Sequence, residues 1–144
     1  MRSGLFLFYA LTTTLAYPQA KPVSAPFGCP DTITVTESAP PAEGWEAGGG
    51  KVERWFERAS VYNGKPGGRE YELAPENQKQ QGKKITQVWH LKPYRTMNIF
   101  LRCRYRDTPV VLSRDIPANL GACTLTFDTD TKGRILGKSR FVCR

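Results

Sequence analysis

Residues 99–105, Ile99-Phe100-Leu101-Arg102-Cys103-Arg104-Tyr105, decide the fold. Ile99, Leu101, Cys103 and Tyr105 share one parity, and Arg102 and Arg104 fall on the other. A period of two marks a strand with one buried face, because successive side chains point to opposite sides of a sheet. The pattern returns twice toward the C-terminal end. Cys123, Leu125 and Phe127 alternate with Thr124 and Thr126, and Phe141 and Cys143 alternate with Arg140, Val142 and Arg144. Each segment sets a cysteine on the face it would bury. The fold is expected to be mainly β: a small single-domain antiparallel sheet or sandwich with two disulfides and room for one short helix.

At the other end, Arg2 supplies a short positive region and Leu5–Ala16 an apolar run of signal-peptide length. That run is too short for a membrane-spanning helix, which needs about 20 apolar residues. Residues 1–20 are expected to be a signal peptide, cleaved after Ala16 or Ala20. Cys29 lies too far downstream of the apolar run to be a lipid-anchored cysteine. Residues 21–144 then form one disulfide-stapled β-rich domain with no transmembrane segment, periplasmic or secreted.

All four cysteines, Cys29, Cys103, Cys123 and Cys143, survive such a cleavage. An even count in an exported chain implies two disulfides made in an oxidising compartment. Four cysteines allow three pairings. Cys29–Cys103 with Cys123–Cys143 is favoured, because the second bridge would staple the two ends of one hairpin-like excursion.

Charge is segregated. Residues 21–78 hold 6 basic and 9 acidic side chains, whereas residues 79–144 hold 14 basic and 4 acidic. Export argues against nucleic acid as the partner of the basic half, and no cofactor is indicated. An acidic protein surface or an anionic envelope component fits instead, with Arg102, Arg104 and Arg106 as candidate contact residues. The plainer alternative is that these arginines form a solvated face that blocks edge pairing.

Several other segments have readable structure. Asp31–Glu37 alternates Thr with Ile33 and Val35 as a short strand, and Trp45 is expected to fold back from its loop as a lid on the core. Residues 51–62 are read as a strand running into an Asn63-Gly64 hairpin turn. Residues 76–84 are read as a polar loop, and 84–91 as a strand with Ile85, Gln87, Trp89 and Leu91 on one face. Six to eight short strands are expected in all.

Catalytic chemistry is poorly represented, and no catalytic residue is assigned. The one histidine, His90, is too few for a histidine-built zinc site, and the cysteines are better used as disulfides. Glu70/Glu72 and Asp128/Asp130 are i, i+2 carboxylate pairs of the sort a glycoside hydrolase needs, but both lie beside turns. Residues 128–139 begin like a calcium loop and fail at Lys132 and Ser139. The expected class is therefore a non-enzymatic binding protein. An envelope-glycan hydrolase and a structural or polyanion-binding envelope protein are the alternatives.

Cys29-Pro30 before a Thr/Ile/Val strand, Gly44-Trp45, Asn63-Gly64-x-Pro66, Trp89-x-Leu91, Cys103-Arg104-Tyr105-x-x-Thr108, Ile116-Pro117, Cys123 and Cys143-Arg144 form a constellation covering nearly all of residues 21–144. It resembles a largely uncharacterised family of small exported proteobacterial proteins. Some members resemble periplasmic immunity proteins linked to type VI secretion, acting against peptidoglycan-targeting toxins. The resemblance implies export, disulfides, a β fold and an immunity or inhibitor role, and it supplies no catalytic residues.

Overall fold

The computed structural model describes residues 26–144. The expected signal peptide and its cleavage points lie outside the described residues. Among those described, ten strands build two antiparallel sheets: β1 (Phe27–Gly28), β2 (Thr32–Ser38), β3 (Gly49–Gly64), β4 (Glu70–Leu73), β5 (Asn77–Gln81), β6 (Lys84–His90), β7 (Ile99–Tyr105), β8 (Val111–Asp115), β9 (Ala122–Thr129) and β10 (Ile135–Cys143). The first sheet has the order β1-β10-β9-β6-β5. The second has the order β2-β3-β7-β8, and β4 also pairs with β3. Among the described residues the one helical element is a 3-10 turn at Lys92–Tyr94.

The core lies between the sheets. Ile99, Leu101, Cys103 and Tyr105 of β7 bury their shared face against Trp89, Cys123, Leu125, Phe141 and Cys143 of the first sheet. Phe56 meets Tyr105 edge-on at 6.1 Å, and Trp89 lies 6.0 Å from Phe141. The polar ends of the buried aromatics are used to join the layers. Trp89 Nε1 donates to the Leu73 carbonyl at 2.8 Å, and Tyr105 Oη donates to the Pro30 carbonyl at 3.2 Å.

Both disulfides have the favoured pairing, Cys29–Cys103 and Cys123–Cys143. The first ties the chain just past β1 to β7 and so crosses between the sheets. The second joins residues directly opposite each other on β9 and β10.

Four local expectations need correction. Trp45 is 79 % exposed and covers no core. Asn63-Gly64 forms the last two rungs of the β3–β4 ladder, opposite Tyr71 and Glu70, and the turn follows at residues 65–69. Gly64 has a φ of 120°, and a Cβ there would lie 2.2 Å from the Arg69 carbonyl oxygen, so glycine serves close strand approach as well as turning. The polar segment 77–81 is a strand, not a loop. It is an edge strand whose five side chains are all exposed, so its backbone pairing with β6 leaves no hydrophobic period. Lastly, β3 runs for 16 residues and the strands number ten, more than the short set expected.

Candidate partner-binding surface

The three candidate arginines have three different environments. Residues 100, 102 and 104 of β7 share the outer face of the second sheet. There Phe100 stacks on Tyr62 across the ladder, with centroids 5.2 Å apart and planes 12° from parallel. The Arg102 guanidinium caps this pair, 4.7 Å from the Tyr62 ring and 5.3 Å from the Phe100 ring. Its two terminal nitrogens donate to the two Glu70 oxygens, each at 2.7 Å. The hydrogen bonds from Arg102 hold the Glu70 carboxyl below its ordinary range, and the same bonds raise Arg102 further. Arg102 is therefore a partly buried structural clamp with its charge already matched.

Arg104 is exposed and stands directly opposite the exposed Arg58 on β3. Like charges facing each other across a ladder repel. Among the described residues neither has a carboxylate within salt-bridge distance, since the ion pairs there are Arg54–Glu37, Arg102–Glu70 and Arg134–Asp130. Arg106 lies beyond the end of β7, where it donates to the Gly137 carbonyl. It lines a cavity of about 240 Å³ together with Asp31, Trp55, Phe56, Lys138 and Ser139. The Lys138 ammonium sits 4.5 Å from the centre of the Trp55 ring. The structure thus sets Arg102 and Arg104 on one face and places Arg106 at the mouth between the sheets.

A second basic surface covers the outside of the first sheet. Register puts Lys79, Thr86, Thr126 and Arg140 in one cross-strand row, and Asn77, Val88, Thr124 and Val142 in the next. With Arg144, Arg140 borders an open depression of about 310 Å³ floored by Ala122, Thr124, Thr126 and Val142. The sequence carried two signals for it, the basic excess after residue 79 and the opposite parity of Arg140, Val142 and Arg144 to Phe141 and Cys143. Neither could say that four strands would align these residues.

Three of the four paired carboxylates are engaged elsewhere. Glu72 accepts from Tyr62 Oη at 3.2 Å while Glu70 binds Arg102. Asp130 accepts from the backbone amides of Arg134 and Lys132 at 2.9 and 2.8 Å, and from Arg134 Nε at 2.6 Å. These bonds, the Arg134 amide first, hold its carboxyl below the ordinary range. A glycosidase general acid needs the opposite shift. His90 is exposed, with its Nε2 3.4 Å from Asn77 Nδ2. No group of three potential metal ligands occurs among the described residues. No helix among them is long and apolar enough to cross a membrane.

The described residues form a disulfide-stapled two-sheet body with charged outer faces. The sequence profile of the type VI secretion system Tli immunity protein family matches residues 51–144, which include the strands from β4 to β10 and most of β3. The chain belongs to that family. It is also similar to an uncharacterized 16.3 kDa protein in the trpG 5' region of Azospirillum brasilense. The two are 26% identical over 153 residues, spanning 100% of this chain and 99% of the relative. No solved structure matches. The family gives the chain an immunity role in type VI secretion, with a protein effector as its partner, and with the disulfides it points to an extracytoplasmic location.

Proposed function

We propose that the protein is exported to the periplasm with loss of a signal peptide cleaved after Ala16 or Ala20, and that it neutralises an envelope-acting effector, one that attacks peptidoglycan, by binding it. Family membership over residues 51–144 carries this reading. Two disulfides suit an oxidising compartment, and a rigid stapled body lowers the entropy lost on docking.

The contact surface in this reading is basic and meets an acidic effector surface. Arg104 beside Arg58 offers unmatched charge, Arg106 extends it at the rim, and Arg102 with Glu70 braces the strand beneath. Such a cluster accelerates encounter with an acidic partner, over a range set by a Debye length of about 8 Å at physiological ionic strength. A hydrolytic role is not favoured, because Glu70 and Asp130 are held ionised by their partners.

The test is periplasmic co-expression with the toxin-like product of an adjacent gene. Cells should grow with the full chain and lyse or arrest without it. Arrest that is indifferent to the chain would overturn the immunity reading. Following peptidoglycan and phospholipid turnover in the same cells identifies the polymer attacked, and loss of phospholipid alone would replace the peptidoglycan assignment.

A further inference from the structure

The outer half of the β2–β3 hairpin takes no part in the core. Every residue from Thr36 to Glu53 is exposed, yet the ladder continues through Thr36↔Lys51, Glu37↔Gly50 and Ser38↔Gly49. A free two-stranded ribbon is only marginally stable in water. This one is braced: Arg54 reaches along the ribbon to pair with Glu37, on the face that also carries Val35 and Val52. Past the ladder, residues 42–45 form a tight turn closed by the Trp45 amide on the Ala42 carbonyl at 2.9 Å, with Gly44 at φ 79° in its third position. The indole of Trp45, 79 % exposed, is therefore presented on a hydrogen-bonded turn beyond the end of the ladder. Glu43 and Glu46 flank it, and the stretch 36–53 holds four carboxylates against one lysine.

We infer that this arm is a recognition element whose Trp45 enters an apolar pocket with a basic rim on the effector, with Glu43 and Glu46 matching the rim. The inference rests on the immunity reading. Tryptophan is among the residues that most often dominate binding energy when buried at an interface, and an ordered turn avoids the entropy lost in fixing a loose loop. The charge selects the partner, since an acidic tip is repelled by an anionic bilayer and attracted to a basic protein surface. β2 and the tip lie outside the matched residues 51–144, so this contact is additional to any made by the body. Two oppositely charged surfaces on one small protein would also fix its orientation on the effector.

The experiment is surface plasmon resonance between the full oxidised chain and the effector that co-expression identifies, using native protein, Trp45→Ala, and the double variant Glu43→Gln with Glu46→Gln. Trp45→Ala should weaken binding by about 30-fold or more, mainly through faster dissociation. The Gln pair should associate more slowly at low salt and converge with native protein at high salt. Unfolding midpoints should be unchanged for both, which separates lost recognition from lost folding. Equal affinity of native and Trp45→Ala protein overturns this inference and leaves the immunity reading standing. A native chain that does not bind the effector at all overturns both. Trp45-dependent binding to phosphatidylethanolamine–phosphatidylglycerol vesicles, with effector affinity unchanged, would assign the tip to membrane and likewise overturn it.

Discussion

The Arg102 guanidinium is occupied on every useful side, by two Glu70 oxygens in its plane and by the Tyr62 and Phe100 rings across its face. Arginine suits this place because its planar fork can bind a carboxylate bidentately while stacking on rings, which lysine cannot do. Arg102→Gln should lower the thermal midpoint by on the order of 5 °C. Arg104→Gln, which relieves the repulsion from Arg58, should leave the midpoint unchanged or slightly raised and slow effector association. Differential scanning calorimetry and association kinetics on the two variants check this contrast. The same residues set the pH response. Because the folded Glu70 carboxyl lies below its ordinary 4.5, its contribution is complete above that pH and disappears as the pH falls through the lower folded value. Burial first, then the nearby Asp31 charge, pushes the Tyr105 phenol from 10.0 up to about 12. Its contribution is complete below pH 10 and is lost as the pH rises toward 12. Urea midpoints across pH should therefore fall at both ends. Glu70→Gln should flatten the acid arm and Tyr105→Phe the alkaline one.

Among the elements, those that bury one face were legible from the sequence and those that bury none were not. β7, β9 and β10 alternate because one side of each meets the core, so their strands, parity and cysteines could be read directly. β5 has no buried side chain, and its place is set by backbone hydrogen bonds to β6 that leave no trace in Asn77–Gln81. Asn63-Gly64 carries a turn signal, but four further residues of the β4 partner strand set the register and move the turn downstream. The site was legible only in part, for a related reason. Parity put Arg102 and Arg104 on an outward face, but Glu70 lies 32 residues from Arg102 in sequence, and no local pattern links them. The two bridges are also separable by experiment. They close loops of 74 and 20 residues, for which chain entropy gives about 4.5 and about 3.3 kcal/mol. Replacing Cys29 and Cys103 together by Ser should thus destabilise more than replacing Cys123 and Cys143, as measured by chemical unfolding. The opposite order would mean that local strain or residual unfolded structure, rather than loop closure, governs the bridges.

At the scale of the whole molecule, the charge asymmetry of the sequence becomes a division of space. The basic second half supplies β5 to β10, with the first sheet's outer face and Arg104, while the acidic first half supplies the arm that ends at Trp45. In the proposed function the protein acts by occupying another protein's surface, and such action has a stoichiometric signature. The most direct measurement is titration of the purified effector's activity with the purified, oxidised chain. Activity should fall linearly and reach zero at a fixed molar ratio, with no recovery on longer incubation. Inactivation by far less than an equivalent of the chain would mean catalytic turnover, and undiminished activity at molar excess would mean no inhibitory complex. Either result would contradict immunity by binding.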